Sequence, residues 1–149
     1  MTGTRPTIDT ILTEFFAAEL EGKRGITRER IEFVDVSLRH FLEAAGEQVL
    51  VADDLILLAT EREFEPEGAF ARTMHADDLI FALAGYLNSM VPREPMVLRV
   101  QLRMVDRLIG WMLGRHLVNH DELVTPLMHA RAAIDSGRAR LRHPAFRDV

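Results

Sequence analysis

Cysteine is absent from the 149 residues, so the chain has no disulfide framework, no thiolate metal site and no cysteine nucleophile. That absence fits a reducing compartment. Lysine is nearly missing: Lys23 stands alone beside 17 arginines, a bias that a GC-rich genome produces without any binding chemistry. Positive charge is in deficit overall, with 18 Lys and Arg against 23 Asp and Glu and a net charge of -5. This excludes a protein coated with positive charge for non-specific nucleic-acid binding. Long apolar runs are missing too. Stretches such as Leu55 to Ala59 fall far short of a membrane span, and Met1 to Glu14 holds no signal-peptide core. The expected location is the cytoplasm. Catalytic signatures are equally scarce. No Gly-rich loop matches a Walker or dinucleotide pattern, and none of Ser37, Ser89 and Ser136 sits in a Gly-x-Ser-x-Gly elbow.

What is present is an ordinary globular composition of 48% hydrophobic and 28% charged residues, at the size of one domain. A helical period runs through most of it, and a strand period almost nowhere. Thr7 caps a first helix whose Ile8, Ile11, Leu12, Phe15, Phe16 and Leu20 share one face, and the glycines at 22 and 25 end it. A second helix follows Thr27, with Ile31, Val34, Leu38, Phe41 and Leu42 as its stripe and Ala44-Ala45-Gly46 as its stop. A third covers about Ala52 to Glu63. Phe64 to His75 reads as a connector, with Phe70 as its anchor into the core. A fourth covers about Ala76 to Asn88, and the prolines between Ser89 and Pro95 mark a turn.

The longest helix is expected from about Met96 to Leu117, with Leu98, Leu102, Val105, Ile109 and Met112 inward and Trp111 beside them. Asn119 marks its stop. Two starts fit the last helix: Asp121 as cap, or Thr125 with Pro126 behind it. It is expected to end near Ser136-Gly137, leaving a basic tail from Arg138 to Val149. The pentapeptide Ala-Asp-Asp-Leu-Ile occurs twice, at 52–56 and 76–80, and reads as two similar helix starts with acids at the positive end.

Charge is divided unevenly along the chain. Residues 1–70 carry 7 basic and 15 acidic side chains, and residues 71–149 carry 11 and 8. The basic excess gathers on the longest helix, where Arg99, Arg103 and Arg107 recur at every fourth position and Arg115 extends the row two turns on. A guanidinium fork matches phosphate oxygens, so such a row can meet successive phosphates. The same row also fits a solvated helix face paired with acids such as Asp106. Arg138, Arg140, Arg142 and Arg147 could enlarge the basic surface. His116 and His120 are four apart, but Asn119 interrupts the helix between them and no His-Glu-x-x-His pattern exists. They read as surface or capping histidines, and no metal ligand set and no cofactor are expected. Asp53-Asp54 and Asp77-Asp78 read as helix N-terminal charges rather than a catalytic dyad.

Ile11 to Leu20, then Gly25-Ile26-Thr27, then Leu38-Arg39-His40-Phe41-Leu42 together resemble the start of one known family. So does the later run Arg99 to Leu117 with its ending Gly114-Arg115-His116-Leu117-Val118. The family is the N-terminal core-binding domain of tyrosine recombinases and phage-type integrases, a SAM-like helical bundle. Val34 replaces its usual aromatic residue and Arg30 its frequent Thr. No His-x-x-Arg occurs, Tyr86 lies in an apolar helix, and the residues after Val118 are too few for a catalytic domain. The resemblance thus implies a DNA-associated fold without strand-cutting chemistry.

The expected fold is all-α, a single-domain bundle of five to six helices over residues 1–149. The resemblance makes 8–118 core-binding-like, with a C-terminal helix and basic tail at 119–149. No enzymatic activity and no small-molecule substrate are expected. Two functions remain open. One is a non-enzymatic protein that meets double-stranded DNA through Arg99, Arg103, Arg107 and Arg115. The other is a helical module that binds a protein partner or a second copy of itself through apolar residues around Phe64, Phe70 and Met90-Val91.

Overall fold

The computed structural model describes residues 5–143. Among them the regular structure is entirely helical: α1 (Ile8–Leu20), α2 (Gly25–Ala45), α3 (Ala52–Phe64), α4 (Ala69–Thr73), α5 (Ala76–Ser89), α6 (Pro95–Gly114) and α7 (Val124–Arg142). A 3-10 turn, Gly46–Val49, follows α2. Thr7 caps α1 as its sequence implies, its hydroxyl accepting from the Thr10 N–H at 3.3 Å. Gly22 and Gly25 take the left-handed turn that reverses the chain into α2.

Helix α5 is the centre of the bundle. Ala76, Leu79, Ile80, Ala82, Leu83, Tyr86 and Leu87 are all buried, because α1, α2, α6 and α7 pack around it. An apolar surface that wide suits a helix covered on several sides. His75 and Asp78 close its start as a capping box, the Asp78 carboxylate accepting from the His75 N–H at 3.1 Å. Ser37 and Tyr86 hydroxyls meet inside the core at 2.6 Å, so neither is left unpaired there.

Four boundaries differ from the sequence reading. Helix α2 begins at Gly25, one turn's fraction ahead of Thr27. The expected connector contains the short helix α4, held by Glu43, whose two carboxylate oxygens accept from the N–H groups of Phe70 and Ala71 at 2.9 and 3.2 Å. Helix α6 ends at Gly114, not Leu117. Helix α7 begins at Val124 and runs through Gly137 to Arg142. Gly137 is not a stop: it is buried where α7 crosses α6, and a Cβ there would sit 2.6 Å from Leu102 Cδ2. Gly46 plays a similar part, since a Cβ on it would meet the Phe70 ring at 2.6 Å. Gly46 also ends α2 as its C-cap, as its sequence implies, whereas Gly137 is selected by close approach and ends nothing. No helix among the described residues is long and apolar enough to cross a membrane.

Candidate nucleic-acid interface

Helix α6 buries Leu98, Leu102, Val105, Leu108, Ile109 and Met112, which turns its opposite side to solvent. Arg99, Arg103 and Arg107 are exposed on that side. Pro95 opens the helix at its first position, where a missing N–H costs nothing. Gly110 and Gly114 continue the same outward side, and a Cβ at either would touch nothing within 4 Å. The backbone beyond Arg107 is therefore bare.

The four arginines are not equivalent. No carboxylate among the described residues pairs with Arg99 or Arg103. Arg107 is bound by Glu19 through both carboxylate oxygens, at 2.8 and 2.7 Å. That hydrogen-bonded carboxylate raises the guanidinium pKa, and it cancels the charge. Arg115 departs from the row. It is the C-cap of α6, and its guanidinium lies 4.2 Å from the centroid of the Trp111 ring. Trp111 itself packs edge-on against Phe15, with centroids 6.0 Å apart. Arg115 keeps its charge and gains a cation–π contact.

Folding adds a cation that the linear row does not contain. The α1–α2 turn carries Lys23 to the side of α6, and Lys23, Glu19, Ile31, Arg103, Met104 and Arg107 line one shallow cleft of about 320 Å³. Lys23 and Glu19 lie some eighty residues from Arg103 in sequence, and no local pattern announces their meeting. The basic residues of α7 are also exposed, but on another helix. Asp106 accepts Arg131 at 3.6 Å and Arg138 at 3.3 Å, which ties α6 to α7. Arg140 and Arg142 stand in the last turn of α7, where cations complement the negative helix end. Arg147 lies outside the described residues.

His116 and His120 both line one hollow of about 540 Å³ at the end of α6, but not from a common helix. His116 has a left-handed backbone at φ 57°, beyond the end of α6, and His120 lies in the following turn, so the two share no helix face. His120 sits 3.7 Å from Asp121. No group of three or more His, Asp or Glu among the described residues is arranged to hold a metal. Ser37 is buried, donating to the Val34 carbonyl at 3.1 Å and sharing its hydrogen bond with Tyr86.

The most apolar hollow, about 510 Å³, lies between α2 and the start of α4. Its two arginines and the Asp9 and Glu43 carboxylates are already engaged. Arg39 bonds Asp35, Asp9 and Thr13 at 2.9, 2.7 and 3.1 Å, and Arg72 bonds Glu61 at 2.8 Å and the carbonyls of Glu65 and Glu67. Burial pushes the Asp35 carboxyl above its ordinary pKa, against the opposing pull of Arg39.

The apolar residues named for a protein interface separate as well. Phe70 is fully buried, because α4 turns it onto Gly46 and into the core. Met90 and Val91 are half-buried. Phe64 is 81% exposed. Comparison with protein-family models, curated proteins and solved structures finds no match to this chain.

Proposed function

We propose that this protein is a non-enzymatic, DNA-associated bundle of the SAM-like core-binding type, which meets duplex DNA through the outward side of α6 and the α1–α2 turn. The observation that carries this reading is the cationic strip itself. Arg99 and Arg103 are exposed without an acidic partner among the described residues, and Lys23 is brought into the cleft beside Arg103. The bare backbone at Gly110 and Gly114 leaves nothing to hold a phosphate backbone away from the helix. The sequence resemblance to integrase core-binding domains points the same way. The net charge of -5 makes the contact a local one.

Fluorescence anisotropy on a mixed-sequence duplex, titrated over a range of salt, tests it. Removing Arg99 and Arg103 together by alanine substitution is expected to lower affinity. It should also reduce the slope of log K against log salt by about 1.8, the equivalent of two phosphates. Absence of binding at low salt, or an unchanged slope in the double variant, refutes the reading.

A further inference from the structure

Helix α3 is the one long helix that the bundle leaves almost uncovered. Of its thirteen residues only Leu58 is buried. Ile56 is 66% exposed, and Leu55, Leu57 and the terminal Phe64 are exposed with it. The contrast with α5 is direct, because both helices open on the same pentapeptide. Leu79 and Ile80 in α5 are fully buried, whereas Leu55 and Ile56 in α3 face outward. Large apolar side chains left uncovered along one helix of a folded chain mark an interaction site.

The charge around the patch selects its occupant. Asp53 and Asp54 stand at one end of α3, and Glu61, Glu63, Glu65 and Glu67 at the other. The one basic residue within α3, Arg62, is committed to Glu47 at 3.0 Å and to the Glu43 carbonyl at 3.0 Å. Asp53, Glu63 and Glu67 have no ion-pair partner among the described residues. The Asp54 charge reaches across to α5, where it helps to raise the Asp78 pKa.

A second copy fits this surface badly. Two-fold packing of α3 on α3 in the antiparallel sense would set the acids at one end against the acids at the other, with no free cation to offset them. A helix with an apolar stripe and basic flanks meets both features at once.

We infer that the outward face of α3 is the docking site for an amphipathic helix of a partner protein, its apolar stripe flanked by lysine or arginine. The site stands apart from the cationic strip on α6. Its occupation does not depend on DNA binding.

The test uses the full chain and a synthetic helical peptide as long as α3, with a leucine stripe flanked by lysines. A second peptide has glutamate in place of every lysine. Amide chemical shifts of the labelled protein report the contact, and light scattering reports its oligomeric state. The lysine peptide is expected to perturb α3 and its immediate neighbours, and the glutamate peptide to leave them unmoved. Ile56→Ser and Phe64→Ser each should weaken the lysine peptide about tenfold. Both side chains are exposed, so the thermal midpoint should stay close to that of the parent chain. Four results overturn the inference: perturbations centred away from α3, equal binding of the two peptides, undiminished binding to both serine variants, or a dimer of the free protein that Ile56→Ser dissociates.

Discussion

Arg107 in α6 holds Glu19 near the end of α1 in a two-pronged ion pair, Nε to Oε1 at 2.8 Å and Nη2 to Oε2 at 2.7 Å. The arginine side chain is 58% exposed and the glutamate only 13%. The pair thus points a neutralised guanidinium outward while its counter-charge is tucked behind it. It joins the acidic half of the chain to the basic half, and it sits in the middle of the row that is proposed to meet DNA.

Releasing Arg107 should therefore strengthen DNA binding. Glu19→Gln keeps the shape of the side chain and removes its charge. The variant is expected to bind duplex DNA more tightly and to add about 0.9 to the salt slope, one further phosphate. The lost ion pair should cost stability by about 0.5–1 kcal/mol. Anisotropy across the salt series and urea unfolding measure the two effects. An affinity and slope equal to those of the parent chain would show that Arg107 lies off the DNA path.

Two glycines in long helices should respond to alanine with opposite sign. Gly110 lies inside α6 with open space where a Cβ would go, so Gly110→Ala is expected to stabilise the fold by about 0.5–1 kcal/mol. Gly137 lies inside α7 against Leu102, with 2.6 Å to its Cδ2. Gly137→Ala must displace that leucine, and a loss of about 1–3 kcal/mol is expected. Urea midpoints of both variants decide this, and a stabilised Gly137→Ala would mean that the α6–α7 crossing relaxes freely.

Asp78 makes the fold sensitive to mild acid in an uncommon direction. Burial raises its pKa, the His75 N–H lowers it by less, and the nearby Asp54 charge raises it again. The folded chain then holds this proton at a pH where the unfolded chain has released it. Its contribution to stability is present in acid and is lost as pH rises from about 4 through the folded pKa. Asp78→Asn should remove that loss, so the stability of the variant relative to the parent should climb across this window. Thermal midpoints of both proteins over the same pH series provide the measurement. A constant or falling difference would mean that the cap hydrogen bond outweighs burial.

Much of the helical framework was legible in the chain. Thr7 as a cap, the stripe on α6 and the acidic start of α5 follow from spacing and cap chemistry, which are local properties. Helix α4 was not legible, because five residues give no period and its N-terminus is closed by Glu43 from a distant helix. Gly137 reads locally as a stop, and only the approach of Leu102 explains why it lies inside a helix. The arginine row was visible, yet its partition into open, paired and stacked members was not. Glu19 and Trp111 determine that partition, through contacts that the fold alone creates for Glu19.

The absence of cysteine, the excess of acidic over basic residues and the helical period determined an all-α chain without thiol chemistry and without uniform positive charge. The tertiary structure decided which surfaces stay open. Ala-Asp-Asp-Leu-Ile starts both α3 and α5, with the same propensities and the same charges. In α5 four other helices close over its leucine and isoleucine, and in α3 they remain exposed. Local sequence sets which side of a helix is apolar; the packing of distant segments sets whether that side is core or interface.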